Sequence, residues 1–144
     1  MTIIQMLQNY FKDFDLAFDF DDDFSYDLTN EIVYIPYKNS IHDVWADLFS
    51  KNFIERCAIA TNYSVYLLSL LHEIGHSETV DYFDYDNDTN LRQICNMLEP
   101  KEAAPLYFAL PMENDATDWA IDFLQKNQIS LQKLDSELQK YVAS

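Results

Sequence analysis

Glycine is almost missing from this chain: 144 residues contain one, Gly75. Together with the lack of any Ser-rich stretch, this excludes flexible linkers and the low-complexity segments built on them. Cysteine is nearly as scarce, with only Cys57 and Cys95. Two are too few for a disulfide framework and lack the CxxC spacing of a metal site. They read as small buried residues in a reducing cytosol, so a cytoplasmic protein is expected. Basic residues number 9 against 25 acids, a formal net charge of −16. No basic stripe exists to track a phosphate backbone, so direct nucleic-acid binding is not expected. No apolar run reaches the length of a membrane span, because His72 and Glu73 interrupt the longest one. The N-terminus also lacks the basic region and apolar core of a secretory signal.

Apolar and aromatic residues, by contrast, are plentiful: 49% hydrophobic and 15% aromatic, with ten Tyr and ten Phe. Such a composition argues against disorder. At this length residues 1–144 are expected to form a single domain with a sizeable core. The acidity has two readings: solubility, or a surface for a basic partner, as in a protein that mimics DNA.

The pattern along the chain predicts a short amphipathic helix over residues 2–14, with Thr2 as its cap and Ile4, Leu7 and Phe11 on one face. Residues 16–20 alternate like a strand, 21–30 are turn-rich, and 31–37 form a second strand ended by proline; an antiparallel pair is expected. Helices follow over 41–57 and 62–77, then an acidic, aromatic loop over 81–90 and a short helix near 91–98. Pro100 and Pro105 bracket an irregular stretch, and two more helices cover 113–126 and 130–142.

The third scarce residue carries the chemistry. Of three histidines, two fall in His72-Glu73-Ile74-Gly75-His76. On a helix His72 and His76 are one turn apart on one face and can meet a single zinc ion, with Glu73 beside them to take a proton from a metal-bound water. The preceding Tyr63-Ser64-Val65-Tyr66-Leu67-Leu68-Ser69-Leu70-Leu71 is apolar on nearly every face, as a central helix would be. The plain alternative is a buried helix whose histidines are satisfied by side-chain hydrogen bonds. Gly75 costs about 1 kcal/mol inside a helix relative to alanine. Either a close approach by another segment or substrate requires it, or it only marks the helix end.

A catalytic zinc usually takes three protein ligands. No third histidine follows His76 at metzincin spacing, so a later carboxylate is expected. Glu113 is the best candidate. It opens a helix whose Ala116, Ala120 and Leu124 form a slim apolar face, with Trp119 and Phe123 extending it; the plain reading is a first-turn glutamate favoured by the helix dipole. Glu99 and Glu102 are reserves. His42 has no partner at ligand spacing and reads as a surface or packing residue. Asp19-x-Asp21-x-Asp23 and Asp84-x-Asp86-x-Asp88 lack the glycine and glutamate of a calcium-binding EF-hand loop and read as solvated turns.

His72-Glu73-Ile74-Gly75-His76 followed by Glu113-Asn114-Asp115-Ala116-Thr117-Asp118-Trp119-Ala120 resembles the ImmA/IrrE metallopeptidases of bacteria, phages and mobile elements. That family pairs an HE[IL]GH helix with a later ExxAxxFA helix; Trp119 stands where Phe is frequent. The resemblance implies an α+β, gluzincin-type, zincin-like fold, with a small sheet on a central active-site helix and further helices C-terminal. It implies Zn2+ held by His72, His76 and Glu113, with Glu73 catalytic, and hydrolysis of a regulatory protein such as a transcriptional regulator. The competing expectation is an acidic binding or inhibitor protein on a catalytically silent scaffold; a third is a zinc-stabilised domain without turnover.

Overall fold

A computed structural model describes residues 1–37, 44–79 and 85–143. Helix α1, Ile3–Tyr10, starts where expected. Thr2 Oγ1 accepts the Gln5 N–H at 3.1 Å and Gln5 Oε1 accepts the Thr2 N–H at 2.9 Å, so two backbone donors are satisfied reciprocally. Leu7 and Phe11 from this stripe are buried.

Three strands follow: β1, Ala17–Asp21; β2, Ser25–Asp27; β3, Ile32–Pro36. The two strands expected to be antiparallel, β1 and β3, are parallel. The reason lies between them. The stretch read as turn contains β2, which forms an antiparallel hairpin with β3. Asp27 fixes its turn by accepting the Thr29 and Asn30 N–H groups, and Glu31 takes the left-handed conformation at φ 55°. The order β1-β3-β2 therefore puts β3 in the middle and makes β2 an edge. Phe18, Val33 and Ile35 carry the sheet's buried face.

Helix α2, Val44–Arg56, leads through a 3-10 turn, Ala58–Asn62, into α3, Val65–Glu78. Ser64 caps α3 by accepting the Leu67 N–H, and Asp135 in turn accepts both the Ser64 N–H and its hydroxyl. As the sequence predicts, α3 is buried on most faces, including Tyr66, Leu67, Leu68, Leu70, Leu71 and Ile74. It is the axis of the core, packed against the sheet, α2, and two later helices.

The next two elements differ from expectation. The acidic stretch does not stay a loop throughout: α4, Tyr85–Asn96, begins inside it. The segment between the prolines is also helical, as α5, Pro100–Ala109. Pro100 occupies the first turn, where no N–H is needed. Pro105 lies on the exposed side, where water can serve the carbonyl it leaves without a donor. Leu110 ends α5 and caps α6, Pro111–Lys126, with no loop between; α7, Gln128–Ala143, completes the chain. The architecture is α+β, with seven α-helices and one small three-stranded sheet among the described residues. No helix among them is long and apolar enough to cross a membrane. His42 and the acidic residues 81–84 lie outside the described residues.

Candidate metal centre

The packing of α3 on α6 builds the site. The alanine stripe does what its spacing suggests: Ala116, Ala120 and Leu124 are fully buried, with Trp119 and Phe123 stacked at the margin, centroids 5.0 Å apart. Gly75 is where the two backbones meet. A Cβ at that position would lie 2.3 Å from the carbonyl oxygen of Ala116 and 3.0 Å from its Cα. Of the two roles open to Gly75, close approach by another segment is the one observed, and the helix continues past it to Glu78.

That approach delivers Glu113, one turn before Ala116, to both histidines. Its Oε1 lies 3.0 Å from His72 Nε2 and 3.1 Å from His76 Nε2. His72 and Glu113 are buried, at 3% and 2% exposure, so these polar atoms depend on one another rather than on water. Burial pushes the Glu113 carboxyl up, but hydrogen bonds from the two imidazoles outweigh it and hold the group well below the usual carboxylate range. Burial alone would lower His76; the hydrogen bond and charge of Glu113 reverse that and raise it.

Glu73 faces the same space. One ligating atom from each of His72, Glu73 and His76 lies within 4.8 Å of the others. Desolvation raises the Glu73 carboxyl above its ordinary range despite the neighbouring imidazoles. A carboxyl raised in this way is a stronger proton acceptor than an ordinary glutamate. Glu99 and Glu102, the reserve ligands, are exposed at the start of α5.

Three further residues surround this group. Thr117 Oγ1 is 3.0 Å from His72 Nδ1 and is buried. When Nε2 donates to Glu113, neutral His72 accepts from this hydroxyl. When Nε2 offers its lone pair, Nδ1–H donates to it instead. Tyr107 donates its hydroxyl to Glu113 Oε1 at 3.0 Å, and Arg92 Nη2 donates to Oε2 at 2.5 Å. The Arg92 guanidinium also lies over the Tyr107 ring, 5.4 Å from its centroid. Burial, then the Glu113 charge, raises the Tyr107 hydroxyl, which stays a protonated donor. Thr117 had a sequence signal, four residues after Glu113 on the same stripe. Tyr107 had none among ten tyrosines, and Arg92 was a single base in the short helix expected near 91–98.

The donor set suits a metal. Two imidazole nitrogens and one carboxylate oxygen converge from two helices, as zinc sites that keep a position open use. Bonds of about 2.0–2.1 Å in a tetrahedron place ligand atoms roughly 3.3–3.4 Å apart. The observed 3.0 and 3.1 Å need only a few tenths of an ångström of opening. Cavities of about 410 and 490 Å³ adjoin the group, both bounded by Phe24, Glu73 and Tyr107. No protein-family model, curated protein or solved structure matches the chain.

Proposed function

We propose that the chain is a zinc metallopeptidase with a zincin-like arrangement, acting in the cytoplasm on a regulatory protein. The observation that carries this reading is the convergence of Glu113 on His72 and His76, with Glu73 beside them at the junction of two cavities. His72, His76 and Glu113 would hold Zn2+. When bound, the ion supplies Lewis acidity and lowers the pKa of a bound water to about 7.

The chain's own groups supply the rest. Glu73 takes a proton from the attacking water and returns it to the nitrogen of the leaving amine. Its position beside His72 and His76, inside a desolvated pocket, suits both halves of that transfer. Tyr107 and Arg92 border the same cavity, and by exchanging Glu113 for the oxygen of the scissile carbonyl their O–H and N–H donors would meet the charge that develops there. The peptide would lie along β2 rather than the strand over residues 31–37, which is internal to the sheet. Ser25 and Tyr26 of β2 border the cavity that holds His76 and Glu113. An edge strand offers unpaired backbone groups to an extended chain.

Glu73→Gln tests the reading. It preserves shape and removes the base, so zinc content should match wild type. Cleavage should fall by about 10²–10⁴-fold, read by intact-mass analysis of a co-incubated substrate, the product of a neighbouring regulator gene being the first choice. Equal cleavage by both proteins sinks the mechanism. An effect on the partner that survives Glu73→Gln and weakens steeply with salt supports an acidic binding protein instead.

A further inference from the structure

The two cavities that meet at Glu73 differ in their walls. The one on the His76 side is bordered by Arg92, Glu113 and the edge strand β2. The one on the His72 side, about 410 Å³, has one wall of aromatic rings from α2 and α5, Trp45, Phe49 and Phe108, and polar groups of Asp23 and Asn96 elsewhere on its rim. These rings brace one another, Trp45 edge to face and Phe49 at a tilt. Trp45 lies 5.4 Å from Tyr107 and 6.4 Å from Phe108, and Phe49 lies 6.0 Å from Phe108. Phe49 also packs against the His72 ring at 4.8 Å, so the cavity shares a wall with the candidate ligand. From α3 the cavity receives Ser69, one turn before His72, and it is small enough to leave the space open. Pockets that take small organic groups run from roughly 300 to 1,000 Å³. The present one sits low in that range, with room for a large side chain.

We infer that this cavity receives a bulky apolar side chain, aromatic or branched aliphatic, from a peptide lying across Glu73, and so selects substrates with such a residue beside the cut bond. The statement about the cut bond rests on the peptidase reading; the statement about the cavity does not. A preformed slot with three braced rings along one wall gains from a large side chain laid against them and gains little from alanine. Each methylene in such a pocket typically changes discrimination by about 10–200-fold.

The experiment separates the two statements. Trp119→Phe leaves Trp45 as the sole tryptophan of the two in the chain. This protein is titrated with the N-acetyl amides of phenylalanine, leucine, alanine and glycine while Trp45 emission is followed. The phenylalanine and leucine amides should give saturable changes at least tenfold tighter than the alanine amide. Ser69→Phe should weaken that binding at least tenfold by filling the slot, and Ser69→Leu replaces it if the larger variant fails to melt cooperatively. In parallel, wild-type protein with zinc is incubated with a random peptide mixture, and new termini are sequenced for bulky apolar residues on one flank. Equal binding of all four amides, or tight binding unaffected by both Ser69 variants, overturns the inference. Cleavage with no apolar preference at either flank overturns it as well. If nothing is cut, the peptidase reading fails, and the amide titration still decides what the cavity takes.

Discussion

The two halves of the site are held by different forces. His72, His76 and Glu113 come from α3 and α6, whose contact is a dry alanine stripe and a backbone-to-backbone approach at Gly75. Arg92 and Tyr107 come from α4 and α5; at the site they meet Glu113 through hydrogen bonds and each other through a cation–ring contact, with Trp45 packed edge-on against Tyr107. Close-packed contacts have one solution and resist displacement. Polar contacts at a cavity edge exchange more readily with water, and a net hydrogen bond contributes only about 0.5–1.5 kcal/mol. The candidate ligand half is therefore set by packing, whereas the donor half reaches Glu113 through polar contacts at the cavity edge.

Gly75→Ala is the most severe way to break this contrast. The added carbon meets backbone, not a side chain that can rotate away, so α6 must shift. Overpacking of this kind typically costs about 1–3 kcal/mol, and the upper end is expected here, read by chemical denaturation. Zinc affinity should fall with it, since Glu113 moves with Ala116. Stability and zinc uptake equal to wild type would show that the close approach does not position the carboxylate.

A smaller loss is expected from Thr117→Val, which keeps the volume and removes the group beside His72 Nδ1. Zinc affinity should drop about 10–100-fold, the usual effect of losing a histidine's outer partner. Calorimetric zinc titration checks it, and an unchanged affinity would assign Thr117 a packing role alone.

Tyr107→Phe should change least in the folded protein, about 1 kcal/mol by thermal unfolding, with the zinc stoichiometry preserved. Beyond that small loss, its effect should fall on turnover. If Tyr107→Phe costs more stability than Gly75→Ala, the comparison between the two halves is inverted.

The same division explains what was legible beforehand. The ligand half lies on two helices with strong periodicity: the apolar run before His72, and Ala116-Ala120-Leu124 after Glu113. In the donor half, Arg92 falls in the short helix expected near 91–98, whereas the Asp/Asn-rich start of α4 and the proline-bearing α5 that carries Tyr107 read as loop. Yet acidic residues are favourable at a helix start, and Pro100 fits a first turn. Without α5 as a helix, the facing of Tyr107 could not be derived. The parallel pairing of β1 with β3 was hidden for a different reason. Alternation specifies which face of a strand is buried, not which strand lies beside it, and β2 spans only Ser25–Asp27.

The ties between α3 and the later helices also set an order in time. Glu113 follows His76 by 37 positions, and Asp135, which holds the cap of α3, follows Ser64 by 71. At a synthesis rate of roughly 5–20 residues per second, the carboxylate follows the second imidazole by about 2–7 s. During that interval an emerging chain carries two imidazoles and Glu73 on a helix whose apolar faces have no α6 to cover them. The contact that completes the ligand half is thus also the one that buries the chain's most apolar helix.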